Sequence, residues 1–441
     1  MLSRKLNAGM LLLAGAACAF APHAARGEEL QRRAVPAVPV RLPQAVEDLP
    51  PPMEEIRAAL SLGQFEGLAL ANNPTLFQAA ARVDAARGKW LQVGLKPNPE
   101  LMFQGQTSDV GQQTLQLSQE FVTKGKLHLN RLAAQQEIAR AEQLYAAQQQ
   151  RVLTDVRRRY YEALVAQRLV EAAYSLRDLG EKAVQTAESL LDAREVARID
   201  LLQARVIANT ARIRVAQAET QQHEAWRRLE AAVGTPCLTP VGLQGDPAEA
   251  LPDLDWCASM TMLLQASPEL SAAYAEVDRA RWQLDRESVE KYPNITGYAA
   301  AMYDNSTDQH MTQLAVSLPL PIYNANQGNV SRAAADLAAA EMDVQRLRLS
   351  LQNRFAQAFR RYDAARREYE LYDRSILPDT RASLEIVRGG YPAEFDYLKL
   401  ITAQREYFQA ELGRLEALNI LRGEAALIEG LLLEDSLDAR P

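Results

Sequence analysis

The side chains that most often carry catalysis or bind metal are sparse and scattered in this chain. The histidines stand at His23, His128, His223 and His310, and the cysteines at Cys18, Cys237 and Cys257. A metal centre needs several such ligands at close, characteristic spacing, so the sequence offers no metal site and no cofactor. It has no nucleophile elbow and no phosphate-cradling glycine loop, and its acids fall on repeating helix faces, which argues against an enzyme. Charge does collect at two predicted turns. The first, near Ala193–Arg198, holds Arg194, Glu195, Val196 and Arg198, with Asp200 just beyond. The second, near Arg388–Glu394, holds Arg388, Gly389, Gly390, Tyr391 and Glu394, followed by Asp396 and Lys399. Mixed charges at such a turn either form exposed ion pairs, worth about 1 kcal/mol or less each, or are simply solvated.

Cys237 and Cys257 flank a segment rich in Pro and Gly, TPVGLQGDPAEALPD. In an oxidising compartment a disulfide between them is plausible, with two unpaired thiols in a loop as the alternative. The compartment is read from residues 1–27. Arg4 and Lys5, an apolar run from Met10 to Phe20 and the small-x-small triplet Ala25-Arg26-Gly27 make a secretory signal, so export is expected. Lipid attachment at Cys18 is a weaker alternative, because the preceding Gly-Ala-Ala lacks a branched apolar residue.

The chain has 441 residues, 48% of them hydrophobic and 24% charged, with a net charge of −7. A mildly acidic balance without a basic stripe gives no reason to expect nucleic acid. The abundance of Ala, Leu, Glu, Gln and Arg favours long helices. No later segment has 18 uninterrupted apolar residues, so any part in a membrane must be a β-barrel.

The sequence repeats once. Asn73-Pro74-Thr75-Leu76 is echoed by Ser267-Pro268-Glu269-Leu270, Lys96-Pro97-Asn98 by Tyr292-Pro293-Asn294, and Ser118 by Ser317. Arg159-Tyr160-Tyr161-Glu162-Ala163 resembles Arg360-Arg361-Tyr362-Asp363-Ala364. Apolar residues at 3- and 4-residue steps run from Ile138 to Val170, broken at Gln148, and from Leu337 to Tyr372 without a break. That is the seam of a coiled coil. The expected order is a signal at 1–27, a Pro-rich extension at 28–56, a first repeat at 57–233, a linker at 234–265, a second repeat at 266–430 and a tail at 431–441. Each repeat reads as a helix (about 57–95 and 266–291), two strands, a very long helix, a turn and a returning helix.

The strands are expected at about 98–107, 112–122, 294–304 and 311–321. In QQTLQLSQEF, Leu115, Leu117, Gln119 and Phe121 point one way; in MTQLAVSLPL, Leu314, Val316, Leu318 and Leu320 do. About ten residues is the length that spans a bilayer when tilted, although a soluble hairpin alternates in the same way. Four strands cannot close a barrel, and an open edge in lipid is not viable. Two copies would give eight strands, a barrel filled by its own side chains; three give twelve and a lumen. The fold class expected is therefore mainly α with a membrane β-barrel part. It is a homotrimer with four strands per chain in a 12-stranded barrel, continued by a long α-helical coiled-coil barrel.

The runs SLPLPIYNANQGNV (317–330), ARIDLLQARV (197–206) and FDYLKLITAQREYFQAEL (395–412), together with the duplicated plan, resemble the TolC-type outer-membrane efflux ducts, nearest to the heavy-metal and cation efflux branch. The resemblance covers about 57–430. It implies an outer-membrane channel-tunnel that does no chemistry itself. Its partners would be a periplasmic adaptor, an inner-membrane transporter of the resistance-nodulation-division type and outer-membrane lipid. It also implies that the tips at Arg194–Asp200 and Arg388–Lys399 close the periplasmic entrance and meet the adaptor, with Arg198 or Arg388 paired to Asp200 or Asp396. The family's second-half acids fall near Lys399 and Thr402, where this chain is not acidic; Glu394 and Asp396 lie a turn away. Metal export rests on the resemblance alone. A type I secretion duct and a poreless periplasmic tether are the competing readings.

Overall fold

The computed structural model describes residues 59–105, 111–236, 238, 240, 242–389 and 397–438. The expected signal and nearly all of the Pro-rich extension lie outside them. Two short helices, α1 (Leu62–Asn72) and α2 (Pro74–Val93), lead into strands β1 (Glu100–Gly105) and β2 (Gln112–Phe121). A 67-residue helix, α3 (Lys126–Asp192), and its return, α4 (Arg198–Val233), complete the first repeat. At 1.5 Å per residue α3 is about 100 Å long.

The second repeat follows the same plan, with α5 (Trp256–Ala266), α6 (Pro268–Val289), β3 (Ile295–Asp304), β4 (Gln309–Ser317) and α7 (Gln327–Leu371). A π-turn at Tyr372–Ile376 joins α7 to α8 (Leu377–Gly389), and α9 (Tyr397–Glu429) returns. Among the described residues no helix is long and apolar enough to cross a membrane.

The expected single helix at 57–95 is broken in two, whereas that at 266–291 is the one helix α6, with α5 before it. Asn73 accepts from the N–H of Thr75, Ser267 from that of Leu270, and a proline follows each cap at the first helical position. Proline has no N–H to give there and its fixed φ suits a helix start, so the pair ends one helix and begins another. The second repeat also starts earlier than 266, because Asp255 caps α5 by accepting from Ala258 N–H. The seam expected without a break meets the π-turn. Pro378, just after it, cannot donate to the carbonyl of Arg374 and its ring crowds that carbonyl, which a wider turn accommodates.

Two parallel cores reflect the duplication. Phe65, Leu76, Val152, Val156, Tyr160, Trp226 and Leu229 pack in the first repeat; Leu263, Leu270, Leu351, Phe355, Tyr362, Leu418 and Leu421 pack in the second. Gln148, which interrupts the first seam, is buried and satisfied. Its amide donates to Thr75 Oγ1 at 2.8 Å and to the carbonyl of Ser436 at 2.9 Å.

The linker between the repeats is held from both sides. Tyr160 donates to the carbonyls of Gln244 and Leu60. Tyr362 donates to Pro252 O at 2.6 Å and accepts from Leu254 N at 3.0 Å. The structural counterpart of Tyr362 is therefore Tyr160, one residue from the Tyr161 that the sequence echo aligns with it. Tyr161 instead supports Arg422, whose guanidinium lies over its ring, 4.7 Å from the centroid. Arg422 is 5% exposed and donates to Pro247 O at 2.8 Å, Ala250 O at 3.3 Å and Glu249 O.

Candidate functional site: sheet, junction and tips

The four strands form one antiparallel sheet in the order β1-β2-β3-β4. Both hairpins of the chain thus lie side by side, with β2 and β3 paired from Gln112↔Asp304 to Phe121↔Ile295. β3 and β2 match the expected bounds to within a residue. β1 is described only to Gly105, and β4 runs from Gln309 to Ser317 rather than 311–321. Its ladder stops before Pro319 and Pro321, which carry no N–H to pair.

Paired residues share a face, so the register sorts the strands into two faces. One carries Leu101, Phe103, Leu115, Leu117, Phe121, Ile295, Ala299, Leu314 and Val316. Leu101, Phe103, Leu314 and Val316 are 69–83% exposed within the chain. The other face carries Gln104, Gln112, Thr114, Gln116, Ser118, Thr296, Gln309, Gln313 and Ser317, with Glu100, Glu120 and Asp304 and, among the described residues, no Lys or Arg. An apolar outer face and a polar inner one are what a barrel in lipid around water requires.

Where sheet becomes helix, a polar knot fixes the exit angle. Thr123 donates through Oγ1 to Pro293 O at 2.7 Å and through its N–H to Asn294 Oδ1 at 3.3 Å. Asn294 also donates to Glu120 Oε1 at 2.7 Å. Gly125, at φ 67, turns the chain into α3, and the next residue, Lys126, is 2% exposed. Its ammonium is 3.0 Å from Asn294 Oδ1 and 3.4 Å from Glu290 Oε1. Nothing in the sequence marks Lys126, since a lysine beside a helix start looks the same whether buried or solvated.

At the first tip, Arg194 has a left-handed backbone (φ 62) and closes the turn from α3 to α4. Asp200 Oδ2 accepts from Ala197 N–H at 2.9 Å, so this carboxylate caps its own helix. Among the described residues, the side chains of Arg194, Glu195 and Arg198 form no ion pair. Within one chain, therefore, the tip shows no Arg198–Asp200 latch. Below it, Glu188–Arg205 (2.8 Å) and Glu181–Arg212 (3.1 Å) tie α3 to α4. At the second tip, Gly390, Tyr391, Glu394 and Asp396 lie outside the described residues, as does the expected Arg388–Asp396 contact; Arg388 and Gly389 are in the last turn of α8, and Lys399 is an exposed residue near the start of α9. Of the expected disulfide, Cys257 is an exposed free thiol in α5 and Cys237 is outside the described residues.

The family model described as "outer membrane efflux protein" matches residues 67–235 and 260–427, one block on each repeat. The chain belongs to the outer membrane efflux protein family. Like the family's other members, it is an outer-membrane exit duct of tripartite efflux or secretion systems, trimeric and working with a periplasmic adaptor and an inner-membrane pump. The relatives match over most of their length. The chain is 26% identical over 381 residues to the cobalt-zinc-cadmium resistance protein CzcC of Cupriavidus metallidurans, covering 86% of this chain and 91% of the relative. It is 24% identical over 422 residues to the alkaline protease secretion protein AprF of Pseudomonas aeruginosa, covering 85% and 87%. A crystal structure of CusC, described as undergoing conformational changes with folding and transmembrane channel formation, superposes with a TM-score of 0.72 at 19% identity, covering 84% of this chain and 91% of that one.

Proposed function

We propose that the cargo of this duct is divalent metal cations, delivered by a pump of the resistance-nodulation-division type. One observation carries the reading: the polar face of the sheet bears Glu100, Glu120 and Asp304 and, among the described residues, no Lys or Arg. In a trimer these acids are repeated three times around one lumen, and a cleft lined with one sign of charge concentrates the opposite ion. The similarity to a cobalt-zinc-cadmium resistance protein supports the same cargo. The tips at Arg194–Asp200 and Arg388–Lys399 act as the periplasmic gate and adaptor contact, with ion pairs between copies as the closing links.

Deleting the gene should lower tolerance to zinc, cobalt and cadmium and raise cell-associated metal, with restoration by the wild-type chain. Unchanged metal tolerance together with loss of a secreted protein would overturn the cargo in favour of secretion, the reading that similarity to AprF favours. For the gate, Asp200→Ala with Arg388→Ala should raise single-channel conductance in planar bilayers. Conductance equal to wild type would remove the latch.

A further inference from the structure

The duplication fixes how one copy joins the next, to the residue. Two offsets relate the hairpins: 196 residues separate Asn98 from Asn294, and 199 separate Ser118 from Ser317. Applied to the observed pair Glu100↔Ser118, they yield Thr296↔Ser317, which is the register that β3 and β4 adopt. The same offsets apply to the joint between hairpins. There Ser118 pairs with Tyr298. Carrying Ser118 forward to Ser317 and Tyr298 back to Met102 gives the joint that closes the barrel.

We propose that β4 of each copy pairs antiparallel with β1 of the next in the register Ser317↔Met102, Val316↔Phe103 and Ala315↔Gln104. The reading goes beyond the cargo and rests only on the trimeric barrel. Both strands are sheet edges, and β4 is exposed along its whole length. Their unpaired backbone groups would each cost several kcal/mol in lipid.

Two independent checks favour this register. First, it keeps the faces: Val316 meets Phe103 on the apolar face and Ser317 meets Met102 on the polar one. An odd shift would turn every side chain of β4 over. Second, it sets the tilt. Glu100 pairs with Ser118, Ser118 with Tyr298 and Tyr298 with Ala315; Ala315 then meets Gln104 of the next copy. Each copy displaces the ladder by about four residues, and three copies by about twelve, equal to the strand number. A shear equal to strand number gives a tilt of about 36°, inside the range of about 35–45° for transmembrane barrels. Sliding the joint by two residues, the smallest move that preserves the faces, gives about 20° or 48°. The first is far below that range and the second lies just above it.

Disulfide formation in the outer membrane tests the register on the water-filled face. Ser317→Cys combined with Met102→Cys should give a reducible covalent trimer that survives boiling in detergent. Ser317→Cys with Glu100→Cys or with Gln104→Cys should give several-fold less, and each single substitution none. Strongest linkage to position 100 or 104 would overturn the register, and no linkage in membrane-inserted protein would overturn the pairing. Ala315→Cys with Gln104→Cys reads the same register should the first pair fail to insert.

Discussion

Tyr160 and Tyr362 send their hydroxyls to the same inter-repeat linker from opposite repeats, one to Gln244 and to Leu60 beside it, the other to Pro252 and Leu254. Each satisfies backbone groups that water does not reach freely. Removing the Tyr160 hydroxyl takes the Gln244 carbonyl's partner, while Leu60 O keeps the Gln244 N–H. Removing the Tyr362 hydroxyl takes the partner of Pro252 O and Leu254 N–H, so Tyr160→Phe and Tyr362→Phe should each cost about 1–3 kcal/mol. Melting of the purified trimer measures it. Burial, followed by the neighbouring Tyr161, pushes the Tyr160 phenol above its ordinary value. A raised group stabilises the fold fully below its unfolded pKa, about 10, and that contribution is lost as pH rises through the folded value. The alkaline loss of stability should therefore be shallower in Tyr160→Phe than in wild type.

Lys126 is a nearly enclosed ammonium at the point where sheet becomes helix. Lys126→Met removes its links to Asn294 and Glu290 and should destabilise the trimer by about 2 kcal/mol, since Glu290 is 37% exposed and keeps Arg286 as a partner. Adding Glu290→Gln should recover none of that loss, because it also breaks the Arg286–Glu290 pair. A double-mutant cycle of thermal melting reads both values.

Gly430 leaves no room for a side chain. A Cβ there would collide with Thr154 Oγ1 and stand 2.9 Å from Ala426 O. Gly430→Ala should cost about 1–3 kcal/mol through overpacking, and Thr154→Ala in the same chain should relieve part of it. An unchanged melting temperature in Gly430→Ala would show that the C-terminal return shifts freely.

The two sheet faces make opposite demands on one charge. Leu314→Arg places a guanidinium on the apolar face and should cost about 2–4 kcal/mol near the bilayer midplane, reducing heat-modifiable trimer in the outer membrane. Gln313→Arg, the next residue, points to the polar face and should insert at wild-type levels. Equal effects of the two would refute the assignment of faces.

Much of this is legible in the sequence because it rests on periodicity. Alternation at Leu115, Leu117 and Phe121 marks the apolar face of β2, and the stepping of Val152, Val156 and Tyr160 marks a buried seam. What periodicity does not supply is the choice among equivalent partners. Asp200 reads as a latch acid, yet the nearest N–H, on Ala197, is satisfied first because it lies three residues away at a helix start. The adjacent tyrosines 160 and 161 are indistinguishable until packing turns one to the linker and the other to Arg422. Asn73-Pro74 and Ser267-Pro268 stand out in the sequence as an echo, but only the backbone shows that each is a cap at which a helix restarts.

The order β1-β2-β3-β4 has a consequence for assembly. A barrel of six hairpins made from separate pieces would need five associations, each losing translational and rotational freedom worth about 4–15 kcal/mol. Here the linker tethers the hairpins in pairs, so three of the six joints form within a molecule at a high effective concentration. Gene doubling thus turned a six-body encounter into a three-body one.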